Sequence, residues 1–68
     1  MKNMDYVSLS VQRGDKDFWR YTTCFNGERF YQYLTSEKAA GVLIGLRSTP
    51  WKEHHMKFDN KEVWRFAP

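Results

Sequence analysis

The stretch FWRYTTCFNGERFYQYL, residues 18–34, decides the fold. Two runs rich in aromatic and β-branched residues flank Asn26-Gly27. Such residues suit a pleated strand. Asn-Gly suits a two-residue type I′ turn, which needs positive φ at both central positions. A loop that short sets the register. Phe25 then faces Glu28, Cys24 faces Arg29, Thr23 faces Phe30, Thr22 faces Tyr31, Tyr21 faces Gln32, Arg20 faces Tyr33 and Trp19 faces Leu34. Side chains alternate across a strand, so these pairs sort onto two faces. One face carries Trp19, Tyr21, Thr23, Phe25, Phe30, Gln32 and Leu34. The other carries Phe18, Arg20, Thr22, Cys24, Arg29, Tyr31 and Tyr33. The first is the more apolar and is assigned to the core, with Trp19, Tyr21, Phe25 and Phe30 as its rings.

Upstream, Val7, Leu9 and Val11 alternate with Ser8, Ser10 and Gln12, which predicts a strand over 6–13 with one buried face. Gly14 and Asp15 supply turn chemistry after it. Arg13-Gly14-Asp15 matches an integrin-ligand tripeptide, but here it reads as a turn. Downstream, Thr35 or Ser36 caps a helix over 35–47, and Glu37 suits its positive first turn. Ala39, Val42, Leu43 and Leu46 recur at i, i+3, i+4, i+7, a core-facing stripe. Gly41 and Gly45 cost helix propensity and are expected to permit close approach to the sheet. Pro50 follows the helix end. Beyond it lie Trp51, Phe58, Trp64 and Phe66, with Asp59-Asn60-Lys61 as a turn candidate. That tail is too apolar to hang loose and should return as a fourth strand or a small hairpin. The expected fold is α+β, a three- or four-stranded antiparallel sheet with one helix packed on one face, in a single domain spanning 1–68.

Sixty-eight residues are barely enough for such a domain. Surface scaling leaves about 4,500 Å² exposed after folding, so only about 62% of the chain's surface is buried. The single cysteine, Cys24, permits no internal disulfide. Three Trp, four Tyr and five Phe offset the small size, because each large ring can bury about 150–250 Å². Hydrophobic content of 41% against 28% charged residues excludes a disordered chain. The longest apolar run, Ala39 to Leu46, is too short to span a bilayer. The N-terminal residues run into polar sequence without the apolar core of a secretory signal. With a lone cysteine, this points to the cytoplasm.

Enzyme chemistry finds little support. His54 and His55 are adjacent, so on a strand they point to opposite faces and cannot chelate one ion together. Cys24 could pair with either histidine only if it were exposed and activated, and it sits among aromatics. Asp15 and Asp17 flank Lys16 without converging on a pocket, and no glycine-rich phosphate loop is present. No cofactor or metal is implied, and the reading is of a small non-enzymatic binding protein.

The binding candidates are Arg20, Arg29, Tyr31 and Tyr33 on the less apolar hairpin face, with Tyr6, Ser8, Ser10 and Gln12 able to extend it. Arginines interleaved with aromatics can hold phosphates, read base edges and stack. The alternative is a cross-strand cation–π pair on a solvated face. Eleven Lys+Arg against eight Asp+Glu give a net charge of +3, with signs alternating along the chain. A nucleic-acid surface requires those positive charges to gather on one face.

The residues Trp19-Arg20-Tyr21, Asn26-Gly27-Glu28-Arg29 and Leu34-Thr35-Ser36-Glu37-Lys38-Ala39-Ala40 follow the order strand, Asn-Gly, strand, capped helix. Over residues 6–46 this order resembles the three-stranded-sheet-plus-helix DNA-binding domains of the AP2 and integrase N-terminal type. The resemblance implies a sheet lying in the major groove with Arg20, Arg29 and Tyr31 on DNA. The aromatic tail from Trp51 to Phe66 lies beyond it. Two expectations follow. The first is a nucleic-acid-binding protein using the Arg20/Arg29/Tyr31/Tyr33 face. The second is a small inhibitor or adaptor, of the kind phages and mobile elements encode, binding a host protein through an aromatic patch. A homodimer burying Trp51 or Trp64 is compatible with either, and a membrane partner with neither.

Overall fold

A computed structural model describes residues 4–13, 16–59 and 61–68. The elements run β1 (Met4–Gln12), β2 (Phe18–Phe25), β3 (Glu28–Leu34), α1 (Ser36–Arg47), β4 (Lys52–Phe58) and β5 (Lys61–Ala67). All five strands join one antiparallel sheet in the order β3-β2-β1-β5-β4. The α+β class and single helix match expectation; the strand number exceeds it. The tail is a hairpin whose two strands both enter the sheet, because β5 pairs with the free edge of β1. The turn expected at Gly14 and Asp15 lies outside the described residues, as does Asn60 of the second hairpin turn.

The β2–β3 register is the one that the Asn-Gly turn dictates, pair for pair from Phe25↔Glu28 to Trp19↔Leu34. Asn26 has φ 52° and Gly27 φ 81°, the positive values a type I′ turn requires. A bulge near the start of β1 reinforces this turn. The register shifts between Met4 and Tyr6, which leaves Asp5 as an extra residue. The Gly27 N–H donates to Asp5 Oδ2 at 2.7 Å. The bulge thus clamps the turn from the neighbouring strand.

β1 is the spine of the sheet. Val7, Leu9 and Val11 are almost wholly buried on the helix side. Their partners on that side are Thr23, Tyr21 and Trp19 of β2, and Phe66, Trp64 and Glu62 of β5. The core gathers around Val11, Trp64 and Phe66, with Trp19, Leu43, Leu46 and Trp51 packed against it. It therefore lies nearer β5 than the β2–β3 hairpin suggested. Phe30 is a correction: it faces the helix side, but the edge position of β3 leaves it 49% exposed, with only an edge contact to Phe25 at 6.4 Å between centroids.

One helix cannot cover this sheet. Five strands span about 19 Å between outer axes, whereas a helix is about 10 Å wide. A ladder of flat rings covers part of the remainder. Trp19 stacks on Trp64 at 5.6 Å, and Trp64 stacks on His55 at 5.0 Å with ring planes 8° apart. The molecule stays open for its size, with a Cα radius of gyration of 12.0 Å, against about 10.9 Å expected for a compact domain of this length.

Helix α1 begins as its sequence directs. Thr35 is the N-cap, its Oγ1 accepting from the Lys38 N–H at 3.4 Å. Ala39 is fully buried, and Val42, Leu43 and Leu46 are half-buried on the same stripe. Arg47 closes the last turn and pairs with Glu53 of β4 at 3.2 Å. The two glycines do not serve close approach to the sheet. A methyl group added at Gly41 or Gly45 would meet nothing within 4 Å. Each therefore weakens the helix without a packing return. Gly41→Ala and Gly45→Ala should each stabilise the fold by about 0.5–1 kcal/mol, read as a higher urea midpoint at unchanged slope.

Tyr21 lies between the sheet and the helix, and burial raises its pKa above the ordinary value. A group whose folded pKa is raised contributes stability that is complete below the unfolded pKa, about 10. It loses that stability as pH climbs through the folded value. Wild-type protein should therefore lose stability above pH 10 more steeply than Tyr21→Phe. Urea midpoints measured on both proteins across that range test it, and parallel curves would contradict the assignment.

Candidate functional site

Among the described residues, no element covers the side of the sheet opposite α1. Strand pairing arranges it as a grid. One row runs Tyr31, Thr22, Ser8, Arg65, His54 from β3 to β4. The next runs Tyr33, Arg20, Ser10, Val63, Met56. Arg29, Cys24 and Tyr6 lie at one end, and Phe18, Gln12, Lys61 and Phe58 at the other.

The floor of this grid is small and the walls are long. Cys24, Thr22 and Ser8 are only 3%, 4% and 8% exposed although no described element folds over them. Their cover is the side chains of the neighbouring strands. The Arg20 guanidinium carbon sits 5.1 Å from the Tyr31 ring centroid, and that of Arg65 sits 4.2 Å from the Tyr6 ring. Both are within cation–π range. Arg29 extends beside the phenol oxygens of Tyr6 and Tyr31, which hold its guanidinium above the ordinary arginine value. The result is an alternating chain, Arg20–Tyr31–Arg29–Tyr6–Arg65, laid across four strands. The Cys24 thiol donates weakly to Asp5 Oδ2 at 3.5 Å. Arg20 Nε is buried without a hydrogen-bond partner among the described residues, a cost of about 1–3 kcal/mol.

Charge is sorted by the pleat. Arg20, Arg29, Lys52, Lys61 and Arg65 all stand on the open face. Glu28, Glu53 and Glu62, the glutamates of the strands, stand on the helix side, where Lys57 joins them, and the Asp5 carboxylate of the β1 bulge reaches the open face at Cys24. The ion pairs among the described residues are Arg13 with Glu62 at 3.6 Å and Arg47 with Glu53 at 3.2 Å. Neither uses an open-face cation. Signs that alternate along the chain become separate faces because neighbours in a strand point opposite ways.

The structure brings together all four residues singled out from sequence. Arg20, Arg29 and Tyr31 interlock, while Tyr33 stands free, 69% exposed and tilted against Phe18 at 6.3 Å. Sequence reasoning missed Lys61, Arg65, Lys52 and Phe58. The signal was present, since Trp64 and Phe66 on the core side place Lys61, Val63 and Arg65 on the other. It became usable only once β5 was known to pair with β1. The tail divides the same way: Trp64 and Phe66 are buried within the chain, whereas Phe58 is 60% exposed on the open face.

His54 and His55 point to opposite faces, His54 beside Arg65 and His55 onto Trp64. Cys24 on β2 lies three strand spacings from β4, about 14 Å, so neither histidine reaches it. Among the described residues, no three His, Cys, Asp or Glu side chains could together hold a metal ion, and no helix is long and apolar enough to cross a membrane. Comparison with protein-family models, curated proteins and solved structures finds no match.

If side chains from the flanking strands are what bury Cys24, removing them should expose it. Native Cys24 should react slowly with an aromatic disulfide reagent, and Tyr6→Ala combined with Arg29→Ala should speed the reaction several-fold at unchanged circular dichroism. An unchanged rate would show that backbone alone protects the thiol.

Proposed function

We propose that this protein binds nucleic acid through its open sheet face, where Arg20, Arg29, Tyr31 and Tyr33 act with Tyr6, Lys61 and Arg65. The observation that carries the reading is the sorting of charge. Five cations share one face with no carboxylate paired to any of them among the described residues, while the strand glutamates lie behind the sheet. Phosphates supply the charge such a face lacks. The interleaved rings supply what phosphate contacts cannot, a stacking surface for bases.

A second reading, an adaptor or inhibitor for a host protein, draws on the helix side. There Phe30 and Ile44 are 49% and 66% exposed. Between sheet and helix runs a groove of about 560 Å³ lined by Tyr21, Gln32, Leu34, Lys38, Gly41 and Val42. Binding through that groove would not depend on the open-face arginines.

Salt separates the two. If all five cations engage phosphates on a single strand, affinity for mixed-sequence oligonucleotides should fall roughly a hundredfold between 50 and 200 mM salt. Arg20→Ala with Arg29→Ala should flatten the log–log salt slope by about 1.4–1.8. Fluorescence anisotropy measures both. Affinity indifferent to salt, or a double variant with the wild-type slope, would remove the reading.

A further inference from the structure

At the end of the grid nearest Phe18 the open face dips. Ser10, Gln12, Phe18, Arg20, Tyr33 and Lys61 line a depression of about 110 Å³. Ser10 and Gln12 of β1 form its floor, and their side chains make no hydrogen bond among the described residues. Phe18 and Tyr33 form one wall as tilted rings. Lys61 stands on the far side, brought there by its pairing with Gln12. Tyr33 differs from the other open-face tyrosines. Tyr31 and Tyr6 each carry a guanidinium on the ring, whereas among the described residues no cation lies over Tyr33. Its ring is free to stack.

Resting on the nucleic-acid reading, we infer that this depression receives one unpaired nucleobase, so that the ligand is single-stranded RNA or DNA. The chemistry of the lining matches the parts of a nucleotide. Tyr33 offers a bare π-face for the base. Gln12 offers an amide donor and acceptor, and Ser10 a hydroxyl, for the base edge. Arg20 and Lys61 complete the lining and supply positive charge for the flanking phosphates. The space is several times the roughly 10–15 Å³ that one water needs, and it is open at the top. A paired base cannot stack on Tyr33, because both of its faces are already stacked on neighbours in the duplex.

The width of the sheet points the same way. A major groove about 12 Å wide admits a helix or a two-stranded ribbon. This face spans about 19 Å between outer strand axes, so its central residues cannot be lowered onto base edges in a groove. A single strand lies across it without that limit, as on other sheet surfaces that present aromatic rings.

The test uses the full chain with short fluorescent oligonucleotides: single-stranded DNA, single-stranded RNA, a hairpin duplex, and an abasic strand with the same phosphates. Anisotropy should show at least one single strand bound tighter than the duplex. Tyr33→Ala should weaken binding of that strand roughly five- to 150-fold, the range for one stacked base, and leave the abasic strand unchanged. Tyr33→Phe should retain affinity. Gln12→Ala should reduce discrimination among homopolymers. Ile44→Ser, on the exposed side of α1, serves as a control, and circular dichroism checks folding. Duplex bound as tightly as single strands, or a Tyr33→Ala loss no greater than that of Ile44→Ser, overturns the base pocket. If salt-dependent duplex binding persists in that case, the nucleic-acid reading stands alone. If no oligonucleotide binds, both fall together.

Discussion

β1 is hydrogen-bonded along both edges, and its residues alternate between Val7, Leu9, Val11 and Tyr6, Ser8, Ser10, Gln12. A strand held on two sides cannot rotate or slip without breaking two ladders. The apolar set therefore fixes which side of the whole sheet is dry. α1 packs there, Trp64 and Phe66 follow through β5, and Trp19 and Tyr21 follow through β2. The serine set fixes the other side by being small. Ser8 and Ser10 leave room for long side chains from neighbouring strands to lean inward, and that inward lean builds the arginine–tyrosine chain.

The chain is short of core material, and its solutions are visible. A twelve-residue helix covers only part of a five-stranded sheet. Flat aromatic rings take over where the helix stops, since the ladder Trp19–Trp64–His55 shields area with few rotatable bonds to restrain. The price of the arrangement is an open molecule, with β3 as an edge strand whose rings are half in water. Exposed rings on the helix side cover little. Exposed rings on the open face stand among cations that have no carboxylate partner among the described residues, a different setting from that of the helix side.

Much of this was legible in the chain. Asn26-Gly27 specified the β2–β3 register without error, because a two-residue loop leaves no slack. Thr35 and the stripe from Ala39 to Leu46 specified the helix. Arg20, Arg29, Tyr31 and Tyr33 were placed on one face by that register alone. The tail was less legible. Residues 61–67 alternate as a strand should, but nothing local says which edge they seek. Hence the sheet was expected to be narrower, Phe30 to be covered, and Gly41 and Gly45 to touch the sheet. Each has its own cause: the sheet is wider because β5 pairs with β1, Phe30 is open because β3 is an edge strand, and Gly41 and Gly45 stand where an added methyl meets nothing.

The sequence by itself determined the local devices: the turn, the caps, the two periodicities and the sides on which side chains stand within each hairpin. Those depend on neighbours a few residues apart, whose geometry the backbone transmits directly. Tertiary structure decided what the faces add up to. Only the pairing of β5 with β1 brought Lys61 and Arg65 beside Arg20 and Tyr6, carried Glu62 behind the sheet, and turned a chain of alternating charge into one basic face. Charge sorting of that kind is a property of strand order, and strand order is set by which apolar edges bury most area together.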